Sequence, residues 1–297
     1  MHTIVSSGCG RYGEQMTAAD GASSPLIDLF NSTKDDFDAV TPQVWGRAGS
    51  ALVDALNLAA GDRVLDVCSG TGASALPAAG AVGADGAVVA VDFAGDLLEI
   101  AQRKAQEAGM SQLRTVRADV TALRLGTDPC QVAYDAVACS YGIFFLPDME
   151  SATRGLMDLL RPGGRIGVTV WHANALHDFT TEFFAAVTAV AGAPNHRGPR
   201  GNADGPRPIT RVDTEGKITD WFTDRGAVRV QTSVLRMRIS TTEEFAWSMV
   251  MGSGMRGALS GLDEATRARV RAELLERLRA AGIDEVDCDT VIAVATV

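Results

Sequence analysis

Short apolar runs alternate with amphipathic stretches along the middle of the chain. The runs at 64–67 and 166–170 are almost continuously apolar. Such runs are typical of parallel strands that helices cover on both faces. The pattern therefore predicts a doubly wound α/β fold. We place its strands at 63–68, 87–92, 113–118, 134–140 and 165–171, and its helices near 72–82, 94–108 and 148–160.

The segments on either side of this alternation are mainly helical. Residues 26–58 carry helical periodicity, and similar patterns return at 176–191, 241–250 and 263–281. Runs at 228–240 and 290–297 predict two late strands that return to the same sheet. Residues 192–208, which include His196, are rich in glycine and proline and predict a loop, with a mobile lid as one interpretation. We expect one domain over 25–297 after a flexible leader at 1–24.

The most informative segment is the turn after the first predicted strand, Asp66-Val67-Cys68-Ser69-Gly70-Thr71-Gly72. Small residues in a turn let backbone N–H groups come close to a ligand where larger side chains would block it. The next strand ends in Asp92, which is well placed to accept hydrogen bonds from a ribose diol. A strand, a small-residue turn, a helix, a strand and an acid together indicate a site for a nucleoside-bearing cofactor.

Composition and charge narrow the class of protein. The 297 residues are 46% apolar and 22% charged, as in a folded globular protein. A formal net charge of −10 argues against a nucleic-acid partner and an anionic membrane surface, because both require basic groups. No apolar run reaches the roughly 18 residues of a membrane span, so we expect no membrane insertion. The five cysteines form no C-x-x-C pair, and we expect a cytoplasmic enzyme without a metal site.

Further motifs lie at the ends of the third and fourth predicted strands and just before the fifth. They are Arg117-Ala118-Asp119-Val120, Ser140-Tyr141 and Arg161-Pro162-Gly163-Gly164. With the glycine turn and Asp92, they resemble the class I S-adenosylmethionine-dependent methyltransferases over roughly residues 40–175. The chain is most similar to the ubiquinone/menaquinone-pathway C-methyltransferases (the methyltransferase type 11 group). Cys68 stands where the family usually has a glycine, and it too is small.

The resemblance implies a Rossmann-like seven-stranded sheet whose last strand, 290–297, runs antiparallel beside the sixth at about 228–239. It implies S-adenosylmethionine as the cofactor and a cofactor-binding core at about 40–175. A helical cap over the substrate would come from the C-terminal third, at about 176–226 and 241–285.

The resemblance also implies roles for single residues. Asp92 would bind both ribose hydroxyls, Asp119 would accept from the adenine amino group, and the Val120 N–H would meet a ring nitrogen. The residues expected to line the cofactor are Trp45, Asp66, Cys68, Gly70, Gly72, Asp92, Phe93, Asp119, Val120 and Ser140.

Candidate catalytic residues follow from the chemistry. Methyl transfer from a sulfonium is an in-line displacement, so the protein mainly aligns the acceptor, and a base matters only if the acceptor loses a proton. His172 and His177 follow the fifth strand at the rim where ligands of such sheets bind. The alternative for both histidines is an ordinary structural position, in a loop or at the start of a helix. Tyr141 and Trp171 end strands at the same rim, either as an aromatic wall beside the sulfonium or as core packing.

We therefore expect methyl transfer to a small, aromatic or otherwise apolar metabolite, with association into a homodimer left open. The soft apolar segment 245–255 would suit such a substrate. Three alternatives compete. A protein or nucleic-acid methyltransferase fits poorly with the charge, and a nicotinamide-dependent oxidoreductase would favour a third glycine after Gly72. A non-methylating enzyme or sensor that keeps the cofactor is the third.

Overall fold

The computed structural model describes residues 25–123, 133–192 and 207–297. The predicted leader at 1–24 and His196, with most of its loop, lie outside these ranges. The strands are β1 (Arg63–Val67), β2 (Ala87–Asp92), β3 (Leu113–Arg117), β4 (Tyr134–Ser140), β5 (Leu160–Trp171), β6 (Arg229–Leu235), β7 (Arg238–Ser240), β8 (Glu285–Asp287) and β9 (Thr290–Thr296). The α-helices are α1 (Pro25–Asn31), α2 (Lys34–Val40), α3 (Trp45–Leu56), α4 (Ala75–Val82), α5 (Gly95–Glu107), α6 (Met149–Met157), α7 (His177–Ala191), α8 (Glu215–Thr223), α9 (Glu243–Met251) and α10 (Glu264–Ala280).

Seven strands form one sheet in the order β3-β2-β1-β4-β5-β9-β6. The first five pair in parallel, and β9 runs antiparallel to both β5 and β6. The Rossmann-like sheet with an antiparallel last strand is therefore confirmed. From β1 the chain adds β2 and β3 on one side, and it then crosses to add β4 and β5 on the other side. Because the strand order reverses between β1 and β4, a crevice opens at their carboxyl ends, where ligands of such sheets bind.

The central strands β1, β2, β4 and β9 are largely buried on both faces, whereas β6 at one edge of the sheet is exposed at alternate positions. On β1, Val64 packs into one apolar cluster with α3 and α4, whereas Leu65 and Val67 pack into the other. Helices α3, α4 and α5 cover one face, and α6 and α8 lie against the other. Burial on both faces explains why the sequences of these strands are almost continuously apolar.

The sixth strand ends earlier than the alternation of apolar and basic residues predicted. We expected a strand to about residue 239, but β6 ends at Leu235 and residues 238–240 pair with β8 in a separate ribbon. The cause is Asp289, whose carboxylate accepts the N–H of Met237 at 2.9 Å and binds Arg236 and Arg238. This contact turns the chain between β6 and β7.

Two other elements differ from expectation. The fifth strand begins at Leu160 rather than 165, and the pairing with β4 shifts register across Pro162 and the two glycines. Helix α8 was not predicted, although Ile218, Trp221 and Phe222 have helical spacing and Thr214 caps its first turn. Because α8 packs on β6 and β9, it extends the layer on the sheet.

The remaining helices surround the rim of the sheet. Helices α7 and α10 pack on each other, and α9 packs on α2. Their role as a substrate cap stays a prediction. Within the described ranges, no helix is long and apolar enough to cross a membrane.

Candidate active site

The acidic residues predicted to hold adenosine lie on one rim of the sheet. Asp92 is paired in register with Arg117, and the N–H of Ala118 donates to the carbonyl of Asp92 at 3.0 Å. Asp119 therefore follows β3 at the same edge where Asp92 ends β2. The turn after β1 lies beside them because the Ser69 N–H donates to the Val91 carbonyl at 3.1 Å.

The turn itself requires an unusual backbone. Cys68, Gly70 and Gly72 have φ values of 54°, 53° and 87°. Glycine adopts such conformations without strain, whereas a side chain at Cys68 costs about 1 kcal/mol. This agrees with the glycine that the family usually has at that position. The Gly70 N–H donates to Asp92 at 2.9 Å, so the turn and the second acid form one unit.

Asp66 is fully buried beneath this turn. One carboxylate oxygen accepts from the Ser74 hydroxyl at 2.6 Å, and the other, Oδ2, has no hydrogen-bond partner among the described residues. Burial raises the pKa of Asp66 to about 6, and the nearby hydroxyls of Ser69 and Ser74 offset only part of this. The site therefore holds a carboxylate that lacks a cation.

Asp92 is also buried, but its partners are backbone groups. Its two oxygens accept from the N–H groups of Gly70, at 2.9 Å, and Ala94, at 2.8 Å. Burial raises the pKa of Asp92, and these N–H groups partly offset the rise. A carboxylate offers about four acceptor positions, so both oxygens can still accept from ribose hydroxyls.

Three buried polar atoms near the turn lack partners in the described part of the chain. They are Asp66 Oδ2, Ser69 Oγ and Trp45 Nε1. A buried polar atom without a hydrogen bond costs about 1–3 kcal/mol, so native structures usually satisfy it with protein, water or ligand. An amino acid zwitterion fits this set: its ammonium would meet Asp66, and its carboxylate would meet the two donors. The residues present therefore fit the methionyl end of S-adenosylmethionine.

The residues expected at the adenine are placed at the rim. Asp119 is exposed, and its Oδ1 accepts from the backbone N–H and the hydroxyl of Thr121 at 2.8 and 2.7 Å. Val120 is buried behind it, and Phe93 is half-buried next to Asp92. Asp119 thus shapes the turn after β3, and its role in binding adenine stays a prediction.

An aromatic cluster stands at the ends of β4 and β5. The rings of Trp45 and Tyr141 are 5.2 Å apart, those of Trp45 and Trp171 5.7 Å, and those of Tyr141 and Trp171 4.5 Å. Phe37 stacks on Trp45 at 5.4 Å. An aromatic wall therefore exists at this rim, although the rings also pack on one another.

Tyr141 is held in place by neighbours on two strands, Thr169 on β5 and Thr290 on β9. Its φ is 52°, its N–H donates to Thr169 Oγ1 at 3.1 Å, and its hydroxyl contacts that of Thr290. The Ser140 hydroxyl also lies 2.9 Å from Thr169 Oγ1. Burial raises the pKa of Tyr141. Its phenol stays protonated at neutral pH, which favours a positioning role over that of a base.

The two histidines have different surroundings. His172 follows Trp171, is half-buried, and its N–H donates to the Asp289 carbonyl at 2.9 Å. His177 is exposed at the start of α7 and lines a pocket of about 500 Å³ with Arg238 and Asp287. A catalytic role for either stays a prediction, and the position of His172 beside the aromatic cluster favours it over His177.

Cys68, within the turn, packs against Cys139 near the end of β4. A β-carbon on Gly142 would lie 2.8 Å from one sulfur and 2.9 Å from the other. The contact with Cys139, together with burial, raises the pKa of Cys68. The Cys68 thiol is therefore a packing group at neutral pH. Across the ranges that the structure describes, no three metal-ligating side chains come together.

Several site residues were missed in the sequence. Ser69 lies inside the quoted turn, and its buried hydroxyl could have been anticipated from the tight backbone around it. Phe30 and Phe37 are carried on α1 and α2, far from the motifs. Only helical periodicity marks them in the sequence, and it does not show that they reach the rim.

Comparison with known proteins adds the decisive observation. The model of the ubiE/COQ5 methyltransferase family matches residues 28–190, more than half of the chain. The chain belongs to the ubiE/COQ5 methyltransferase family. Membership confirms the resemblance carried by the motifs and S-adenosylmethionine as the cofactor that they indicate. The matched segment includes the turn after β1, both buried acids and the aromatic cluster.

Individual ubiE/COQ5 relatives match a part of the chain. Aklanonic acid methyltransferase DauC of Streptomyces is 34% identical over 144 residues, which cover 48% of this chain and 64% of the relative. Demethylmenaquinone methyltransferase of Oceanobacillus iheyensis is 31% identical over 111 residues, 37% of this chain and 45% of the relative. The chain thus spans less than two thirds of the length of either relative.

Solved structures agree on the fold of this ubiE/COQ5 family member. The YcgJ protein of Bacillus subtilis has a TM-score of 0.54 at 15% identity, covering 84% of this chain and 97% of its own. The [4+2]-cyclase SpnF also has a TM-score of 0.54, at 17% identity, covering 91% and 94%. Because a cyclase shares the fold, the fold alone does not fix the reaction.

Proposed function

We propose that this protein transfers the methyl group of S-adenosylmethionine to a small, aromatic or otherwise apolar metabolite by in-line displacement. The observation that carries the proposal is the set of three buried polar atoms, on Trp45, Asp66 and Ser69 beside the glycine turn, that have no hydrogen-bond partner among the described residues. A zwitterion supplies a counter-charge or partner for each of them. Family membership supports the same cofactor.

The remaining contacts to the cofactor follow the order of the strands. Asp119 after β3 is proposed to accept from adenine, Asp92 at the end of β2 to accept from ribose, and Asp66 near the end of β1 to bind the ammonium. This order directs the sulfonium towards the ends of β1 and β4, where Trp45 and Tyr141 meet. Aromatic faces stabilise a nearby cation by about 0.5–2 kcal/mol.

The protein contributes mainly orientation and the exclusion of water. When bound, S-adenosylmethionine supplies an electrophilic methyl group on a positively charged sulfur. The rings of Trp45, Tyr141 and Trp171 would hold a flat or apolar acceptor in line with that bond. Contact between Tyr141 and Thr290 fixes the angle of the phenol. If the acceptor loses a proton, His172 is the proposed base.

The class of acceptor is inferred from the chemistry of this rim and from the relatives. The aromatic side chains at this rim favour apolar over highly charged acceptors. Relatives named for aklanonic acid and demethylmenaquinone support a small-molecule acceptor. The net charge of −10 disfavours a nucleic-acid acceptor.

Two measurements test the proposal. Calorimetric titration with S-adenosylhomocysteine should show stoichiometric binding, and its absence would contradict the cofactor assignment. Incubation with S-adenosylmethionine and a panel of phenols and hydroxyquinones should then yield products one methylene heavier by mass spectrometry. Binding without transfer to any member of the panel would favour the non-methylating enzyme or sensor.

A further inference from the structure

Phe37 packs directly on the glycine turn. Its ring atoms Cε1 and Cζ lie 3.2 and 3.3 Å from the position that a β-carbon on Gly70 would take. Glycine in such a turn leaves open the space through which a ligand approaches the backbone. In this conformation the Phe37 ring occupies that space, while its face stacks on Trp45.

Phe30 extends the same cover across the rim. Its ring contacts Phe37 at 6.5 Å, Phe93 at 6.1 Å and Phe145 at 5.4 Å, each edge to face. Phe93 follows Asp92 on the proposed adenosine side, and Phe145 follows β4 on the proposed acceptor side. Helices α1 and α2 therefore place aromatic rings over both halves of the proposed site.

Polar contacts hold α2 to the body from two sides. Asp38 pairs with Lys104 on α5, and Asp36 pairs with Arg256, 2.8 Å away, in the turn after α9. The Asp96 N–H at the start of α5 also donates to the Asn31 side chain at 3.2 Å. All four partners of the ion pairs are partly exposed to solvent.

We propose that α1 and α2 form a gate over the cofactor site, with Phe37 as its plug and the Asp36–Arg256 and Asp38–Lys104 ion pairs as its latch. The proposal rests on the proposed function, because the gate controls entry to that same site. A ligand that reaches Gly70 must first displace the Phe37 ring, and movement of α2, which carries this ring, would open that space. The latch is suited to reversible opening, since partly exposed ion pairs are individually weak and are screened by salt.

The latch is tested first without any ligand. Hydrogen–deuterium exchange of residues 25–40 is compared in the wild type and in the double variant Asp36→Asn/Asp38→Asn. We expect exchange in this segment to accelerate about three- to tenfold, with the sheet unchanged. Matched controls are Asp35→Asn, an exposed acid on the same helix, and Arg103→Gln, which neighbours Lys104 on α5. Both should exchange like the wild type.

The gate is then tested with S-adenosylhomocysteine as the probe. Stopped-flow tryptophan fluorescence should show faster association in the double variant and in Phe37→Leu than in the wild type, about three- to tenfold. Added salt should accelerate association in the wild type and much less in the double variant. The two control variants should bind at the wild-type rate.

The outcomes separate the gate from the cofactor assignment. Unchanged exchange at 25–40, or unchanged association rates, in a protein that binds S-adenosylhomocysteine would overturn the gate alone. A folded wild type that does not bind this probe would overturn the cofactor assignment and the gate with it. Faster exchange and faster association confined to the latch and plug variants would support the gate.

Discussion

Two buried carboxylates at the same rim of the sheet have opposite surroundings. Asp289 precedes β9 and is 1% exposed, and Asp66 on β1 is 0% exposed. Asp289 is bound by Arg236, Arg238 and the Met237 N–H. Asp66 has the Ser74 hydroxyl on one oxygen and no partner from the described chain on the other.

Their pKa values follow from this difference. Burial alone would raise the pKa of Asp289, but its two arginines and the N–H hold it below the ordinary value. No cation offsets burial at Asp66, whose pKa rises to about 6. A satisfied buried acid supports the fold, whereas an unsatisfied one at a rim indicates a ligand that brings the missing charge.

We expect the substitution Asp66→Asn to have the largest effect on cofactor binding. Loss of a charge-assisted hydrogen bond to the ammonium should weaken S-adenosylhomocysteine binding by about 2–3 kcal/mol, measured by calorimetry. The ligand-free variant should be more stable than the wild type at pH 8 by about 1–3 kcal/mol, because it no longer buries a charge. Denaturant unfolding measures this second change.

Asp289→Asn is the matched control for this variant. It removes the partner of Arg236 and Arg238 and should lower the stability by about 1–3 kcal/mol. Its affinity for S-adenosylhomocysteine should stay within about twofold of the wild type, since the fold survives a loss of this size. Equal losses of affinity in the two variants would remove the distinction between these acids.

The pH dependence of binding should follow Asp66. Only the ionised carboxylate attracts the ammonium, so affinity should be nearly constant between about pH 6 and about pH 7.5, where the ligand keeps its ammonium, and fall by up to about tenfold per pH unit below pH 6. Calorimetric titrations across this range measure the effect. A flat profile in the wild type, or the same slope in Asp66→Asn, would contradict the assignment.

The pH dependence of stability should have opposite signs for the two acids. In the ligand-free protein, Asp66 binds its proton more tightly when folded, so its contribution falls as pH rises from about 4 to about 6. Asp289 has a lowered pKa in the folded state. Its contribution is present above about pH 4 and is lost as pH falls through the folded pKa. Denaturant unfolding of Asp66→Asn and Asp289→Asn against the wild type tests both signs.

The smallest expected effect concerns single indole N–H groups. Trp45→Phe keeps an aromatic ring and removes Nε1–H, which should weaken S-adenosylhomocysteine binding by about 1 kcal/mol. Trp221→Phe is the matched control, because its Nε1–H donates to Thr153 at 3.3 Å, within the structure itself. It should lower stability and leave affinity unchanged. Calorimetry and denaturant unfolding of both variants decide between these outcomes.

Local patterns allowed much of this site to be predicted. Asp66 and Asp92 end apolar strands, and the spacing of small residues between them marks the turn, so both acids were placed at the right rim. The seven-stranded sheet with its antiparallel last strand followed from the family resemblance. The break between β6 and β7 was not predictable from alternation, because it depends on Asp289, distant in sequence from Met237.

Features that depend on packing between distant segments escaped prediction. The rings of Phe30 and Phe37 reach the rim only because α1 and α2 fold back between α5 and α9. The missing partner of Asp66 Oδ2 is likewise a property of the packed interior. Sequence patterns identify which residues carry chemistry, but they do not show which of them are left unsatisfied.

The most direct test of the account is the titration of the Asp66 carboxyl carbon by NMR, in the ligand-free protein and with S-adenosylhomocysteine bound. We predict a pKa near 6 in the free protein and a lower pKa in the complex, because the ammonium stabilises the charge. An ordinary pKa near 4 in the free protein, or a pKa unchanged by the ligand, would contradict the claim that Asp66 binds the ammonium group of the cofactor.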